Sequence, residues 1–146
     1  MWFDPIIKTI LRSPLHRMVS GNMMLMTYTG RKSDRQYQVP MNYFVIESTG
    51  TKFLATISKP ERTWWRNLRG GAEVNVLVKG TTYLADAYVF ESQAEVRDLL
   101  HELFSQYPDL GERFNIEVVD GETVRSDVAR LAGETVFIRT ELKHIS

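Results

Sequence analysis

The chain contains no cysteine. That excludes disulfides, thiolate metal sites and a cysteine nucleophile, and it leaves the redox compartment undetermined. Its three histidines, His16, His101 and His144, are far apart, and no H-E-x-x-H spacing occurs. Both facts argue against a zinc enzyme. Net charge is absent as well, because 18 basic residues balance 18 acidic ones. A nucleic-acid binder is more often basic overall. No apolar run is long enough to cross a bilayer. The N-terminus lacks a basic start and a small-residue cleavage site, so a cytoplasmic location is expected. No internal repeat, linker or low-complexity stretch interrupts the 146 residues. One domain, 1–146, with its own core is therefore expected.

What is present is organised around residues 23–46. Residues 23–29 are apolar and end in Thr27, Tyr28 and Thr29, which suit a pleated surface. Gly30 breaks the run, and Arg31, Lys32, Ser33, Asp34 and Arg35 form a polar connection. Tyr37, Val39, Met41, Tyr43 and Val45 then alternate with Gln38, Pro40, Asn42 and Phe44, a period of two that predicts a strand with one buried face. Three cations thus gather at the mouth of a hairpin. Gly30 allows close backbone approach, and the Ser33 hydroxyl and turn amides add donors. The cluster suits a phosphate or carboxylate, or it is a basic hairpin tip in solvent. Residues 30–70 carry eight cations against three anions, a local excess of five in a chain with none overall. An anionic small ligand fits that segment.

The other elements follow from caps and periodicity. Asp4 before Pro5 and the apolar spacing that follows predict a helical segment over about 1–19. It packs on the barrel, or as an amphipathic segment makes weak contact with a membrane surface. Residues 52–57 read as a strand, and 73–78 with 81–90 as a hairpin through Lys79 and Gly80. Ser92 with Glu95 three residues on predicts a capped helix that ends at Tyr107 and Pro108. Residues 116–119 read as a short strand or extended loop, 126–131 as a helix stopped by Gly133, and 135–139 as the last strand. About six strands and three or four helices with hairpin-linked neighbours predict an α+β fold. It is mainly antiparallel β: a barrel with helices packed outside.

A second constellation lies at residues 58–70, where Trp64 and Trp65 sit among four cations. Thr63 is a candidate helix cap. Trp64 and Asn67 share a face at the i, i+3 spacing, and Trp65 points elsewhere. One indole then stacks on a planar ring while the other packs inward; alternatively both are core or interface residues. With Lys59 ahead of the turn, Trp64 and Asn67 are expected to border a ligand and Trp65 to fill the barrel.

Taken in order, residues 24–33, then Val39 and Pro40, then Ser58 and Lys59, then Trp64, Trp65, Asn67 and Leu68, resemble the deazaflavin-dependent nitroreductase family. The resemblance runs from about residue 13 to residue 90. It implies a split β-barrel of the FMN-binding, pyridoxamine phosphate oxidase-like kind. It also implies coenzyme F420, an 8-hydroxy-5-deazaflavin, and hydride transfer to a quinone, nitroaromatic or similar small acceptor. By the same resemblance Arg31, Lys32 and Ser33 hold the phosphate or acidic tail, and Pro40 and Met41 line the ring region. Ser58 and Lys59 contact the cofactor, Trp64 and Asn67 flank it, and Tyr107 resembles a tyrosine near the substrate pocket. The chain departs from the pattern at a short loop between Lys59 and Trp64, at Tyr37 where the family often has Arg, and at Asp34 where it often has Gly. FMN, haem or another ligand bound without turnover is the alternative. A module that binds single-stranded nucleic acid or a membrane surface through Trp64, Trp65 and the local cations is a third reading, which the neutral net charge opposes. A homodimer is expected, given three tryptophans and six methionines to cover.

Overall fold

Two left-handed turns set the hairpins of the sheet. Thr49 and Gly50 have φ of 47° and 79°, and Lys79 and Gly80 have 48° and 82°. Positive φ at both central residues is what a two-residue hairpin needs to match strand twist. The first turn joins β3 (Phe44–Ser48) to β4 (Thr51–Ser58), and the second joins β5 (Ala72–Val78) to β6 (Thr81–Phe90). β1 (Met23–Thr29) and β2 (Gln36–Asn42) pair across the longer basic connection. The computed structural model describes residues 23–110, 114, 118–119, 122–123 and 125–143. The helical segment and membrane contact expected over residues 1–19 lie outside them.

All seven strands of the main sheet are antiparallel to their neighbours, in the order β2-β1-β5-β6-β9-β4-β3, with β9 at Val136–Leu142. A separate ribbon pairs β7 (Val118–Val119) with β8 (Glu122–Thr123). The sheet curls until its two ends approach: the Thr56 hydroxyl on β4 donates to the Asn42 carbonyl on β2 at 2.9 Å, although those strands are not ladder neighbours. The result is a split-barrel-like α+β fold, a curled antiparallel half-barrel with peripheral helices.

Two apolar cores share this sheet. Inside the curl are Met24, Met26, Tyr28, Met41, Leu54, Val76 and Ile138, with Trp65 and Leu68 inserted among them. Outside it, Ile46, Phe53, Ala55 and Phe137 pack beneath two helices, α1 (Gln93–Gln106) and α2 (Arg125–Glu134). β4 and β9 therefore alternate between two buried faces. A strand buried on both sides reads as a continuous apolar run rather than an alternation, which is how Phe53, Leu54 and Ala55 read.

Three expectations need correction. The alternation over residues 37–46 is not one strand, because the chain turns a corner at Tyr43 between β2 and β3. The covered face also changes there. Met41 and Tyr43 are buried inside the curl, but in β3 it is Ile46 that is buried, under the helices, while Val45 is 39% exposed. That corner also raises the strand count above the expected six. Gly133 does not stop α2, which runs to Glu134. A Cβ at Gly133 would meet Gln93 at 3.6 Å, ordinary contact. The end is instead marked by the Thr135 hydroxyl, which donates to the Leu131 carbonyl at 2.8 Å. The Ser92 cap is as expected, accepting the Glu95 N–H at 3.2 Å.

Both sheet edges are blunted. On β3, Glu47 donates its N–H to the Gln106 side-chain oxygen at 3.0 Å and accepts from the Gln106 amide nitrogen at 2.8 Å. A single side chain thus imitates a neighbouring strand. The Tyr107 hydroxyl donates to the Val45 carbonyl at 2.7 Å. On β2, Pro40 removes a donor, as prolines in sheets do on edge strands. Gln106→Ala and Tyr107→Phe should each cost about 0.5–1.5 kcal/mol in urea unfolding. The double variant should also self-associate more readily in sedimentation, because an open strand edge is a template for pairing.

Candidate functional site

The basic connection is folded back on itself through Gly30, Ser33, Asp34 and Arg35. The Gly30 N–H donates to the Arg35 carbonyl at 2.7 Å, and the Asp34 N–H to the Gly30 carbonyl at 2.8 Å, with Asp34 at a φ of 58°. Gly30 is required by packing. A Cβ there would lie 2.7 Å from the Tyr37 ring and 2.8 Å from Ser33 Oγ. Ser33 Oγ also lies 2.9 Å from the Tyr37 hydroxyl and takes the Arg35 N–H at 3.3 Å. Its hydroxyl is thus turned into its own hairpin.

Residues Thr63–Leu68 form a 3-10 turn. Three residues per turn put i and i+3 on one face. Trp65 and Leu68 take the inward face, 3% and 0% exposed, and Trp64 and Asn67 take the other. Thr63 does not cap the turn. Arg62 holds that position, without a side-chain capping bond. Asn67 is used twice: its Oδ1 accepts the Arg31 N–H at 3.0 Å, and its Nδ2 donates to the Trp64 carbonyl at 2.8 Å. The Arg31 guanidinium donates to the Arg69 carbonyl. Hairpin and turn are thereby fastened together, and the two basic stretches of the sequence become one surface.

Beside that joint, a cleft of about 270 Å³ opens between β2 and β4. Val39, Pro40, Met41 and Asn42 form one wall, and Thr56, Ile57 and Ser58 the other. Arg62 and Trp64 stand at its end. The Trp64 ring leans on Tyr28 at 5.9 Å between centroids, and Tyr28 stacks on Tyr37 at 5.8 Å. Burial, with Tyr37 nearby, pushes the Tyr28 hydroxyl above the usual phenol range and keeps it neutral.

The charges around the joint are uneven. Arg69 grips Glu91 with two N–H bonds of 2.9 and 2.8 Å. That grip holds the Glu91 carboxyl below the usual range. Arg97, Arg130, Arg139 and Lys143 have carboxylate partners elsewhere. Among the described residues, no carboxylate pairs with Arg31, Lys32, Arg35, Lys59, Arg62 or Arg66. All six belong to the hairpin and the segment around the 3-10 turn.

Of the residues singled out in the sequence, Pro40, Met41, Ser58 and Trp64 line the cleft. Arg31 and Asn67 bond one another in the joint, and Lys32 and Ser33 lie in the hairpin. Lys59 follows Ser58, and its carbonyl receives the Arg62 N–H at 3.1 Å. Tyr107 is not with them. Its ring meets Phe44 edge-on at 5.6 Å, and its hydroxyl is bound to β3. Three polar lining residues, Asn42, Thr56 and Arg62, were missed by sequence reasoning. Arg62 alone had a signal, since Pro60 in second position predicts a turn closing three residues after Lys59.

No family model and no curated protein matches this chain. Among solved structures, a protein of unknown function from Agrobacterium tumefaciens is similar, with a TM-score of 0.52 and 16% identity. The match covers 98% of this chain and 60% of that one, so this chain spans less than two thirds of its neighbour's length. At that identity the likeness concerns the fold alone, and it supports the split-barrel-like architecture.

Asn67→Ala should separate hairpin from turn. The expected cost is about 0.5–1.5 kcal/mol in urea unfolding, since the exposed Arg31 N–H and the part-buried Trp64 carbonyl lose their partner together. Hydrogen exchange at the Arg31 amide should speed up by more than at β5 or β6.

Proposed function

We propose that this chain is a deazaflavin-dependent oxidoreductase that binds coenzyme F420 and reduces a quinone, nitroaromatic or similar small acceptor. One observation carries the reading. Six cations without a carboxylate partner among the described residues lie on the hairpin and the segment around the 3-10 turn, and one of them, Arg62, lines a cleft walled by Val39, Pro40, Met41, Ile57 and Trp64 together with the polar Asn42, Thr56 and Ser58. A planar ring with an anionic tail has that division of chemistry. The cleft is just below the ~300–1,000 Å³ of drug-sized ligand pockets. It accommodates a ring system and leaves a tail outside, against the rim.

The residues fit the coenzyme in kind. Lys32 and Arg35 are the free cations of the hairpin and would hold a phosphate, and Lys59 adds a third charge. Arg31 contributes less, because its guanidinium is already turned to the Arg69 carbonyl. Pro40, Met41 and Trp64 would wall the ring and exclude water, and Ser58 offers a hydroxyl. When bound, the reduced coenzyme supplies a hydride from its C5. The protein's part is binding, orientation and dryness. With the Tyr107 hydroxyl engaged by Val45, a proton for the acceptor comes from solvent. The second reading is binding of FMN or another planar ligand without turnover.

Titration with coenzyme F420 and with FMN decides between cofactors, and steady-state assay with reduced coenzyme and a quinone decides between the readings. Lys32→Ala should weaken coenzyme binding about ten-fold or more and leave unfolding unchanged. Unaltered affinity in that variant removes the hairpin from the site, and binding without turnover selects the second reading.

A homodimer belongs to the same proposal. Leu84 and Tyr88, 39% and 37% exposed, lie four residues apart on one face of β6. Multi-angle light scattering should give twice the chain mass at micromolar concentration, and a monomer there contradicts the expectation.

A further inference from the structure

Arg62 is the one charged side chain among those lining the cleft. The chain holds it there by two means. Its N–H closes a turn onto the Lys59 carbonyl at 3.1 Å, with Pro60 in the second position, where its fixed φ favours a tight reversal. It then enters the 3-10 turn with extended backbone, at φ −82° and ψ 109°, two residues before Trp64. No carboxylate neutralises it among the described residues, whereas Arg69 on the same segment is held by Glu91 at 2.8 Å. Its polar neighbours in the cleft bear only hydroxyl and amide groups, and the Thr56 hydroxyl is already spent on the Asn42 carbonyl.

We infer that Arg62 is a second anion-recognition point, separate from the hairpin rim, and that it makes the cleft select planar rings bearing a negatively charged oxygen on their edge. The inference rests on the proposal above only in taking the cleft as ring-binding space. Flat selectivity comes from Trp64 and Pro40, and charge selectivity from Arg62. A guanidinium is a planar fork of donors that matches a carboxylate or enolate edge. A solvent-exposed ion pair is worth little. A ring seated between Pro40 and Trp64 excludes water from this contact and strengthens it.

Naphthoate and naphthamide test this directly, because they share a ring system and only the first is charged. Each is titrated calorimetrically into the full chain. Naphthoate is expected to bind about ten-fold more tightly, the ratio that a charge-assisted hydrogen bond supports. In Arg62→Gln the two should bind alike, with naphthamide affinity unchanged. In Arg62→Lys part of the preference should remain. Equal affinities in the unsubstituted protein, failure of both rings to bind, or a preference that survives Arg62→Gln overturns the inference. Coenzyme F420 titrated into the same proteins distinguishes the two readings. Absence of coenzyme binding with the naphthoate preference intact removes only the cofactor assignment. Coenzyme binding without that preference removes only the role of Arg62.

Discussion

The shared wall of β4 and β9 is the constraint from which the rest follows. Each strand is covered on both faces, by the barrel interior on one side and by α1 and α2 on the other. Phe137 and Ile138 are fully buried in opposite cores though adjacent in sequence. Such a wall cannot shift register by one residue, because each core would receive the other's side chains. It therefore fixes β6 and β3 on either side of it. The curl brings the far strand, β2, back toward β4, and there the two ends meet through a single hydroxyl rather than a ladder. The cleft is the space left by that incomplete closure.

A gap between strands becomes a site only if its mouth carries the right groups in fixed positions. Here the mouth is made from two loops that both carry an excess of cations. Asn67 joins them with a neutral amide that accepts from one loop and donates within the other. The 3-10 repeat matters too. It turns Trp65 and Leu68 into the barrel while presenting Trp64 to the cleft. Arg66 and Arg69 lie over the buried Trp65 ring at 5.8 and 5.2 Å, so part of the cationic load rests on an aromatic face.

Much of this was legible from local patterns. The Lys79–Gly80 turn, the Ser92 cap, the stop at Tyr107 and the opposite faces of Trp64 and Trp65 follow from rules that act within a few residues. What local pattern could not show is coverage. Val45 continues the alternation of Met41 and Tyr43, yet the helices that decide which face is buried come from sequence far downstream. The same limit applies to the site. Thr56 reads as an ordinary strand residue, and its partner Asn42 is fourteen positions earlier on a different strand. Asn67 reads as a ligand contact because an exposed amide beside tryptophan has both donor and acceptor to offer. Only the fold reveals that both are already engaged. Tyr107 failed to reach the cleft for a related reason: the helix it ends is packed against the outer face of β3, so its hydroxyl meets a strand edge instead.

The electrostatics give the last step. Like charges held close repel one another, and a folded chain lowers that cost by pairing them, as Lys143 does with Glu73 and Asp86. This chain has as many acids as bases, so carboxylates were not lacking. Among the described residues, Glu73, Asp86, Glu91, Asp98, Glu134 and Glu141 pair with Arg69 or with cations outside the two segments. Of the cations on the 30–35 and 58–69 segments, only Arg69 is paired among the described residues, and that pair sits at the far end of the turn, where it steadies the segment. The segregation leaves the two segments with six unpaired cations against Asp34 and Glu61, an excess of positive charge beside the cleft. On the proposed reading, Lys32 and Arg35 would hold the anionic tail of a ligand and Arg62 the edge of its ring.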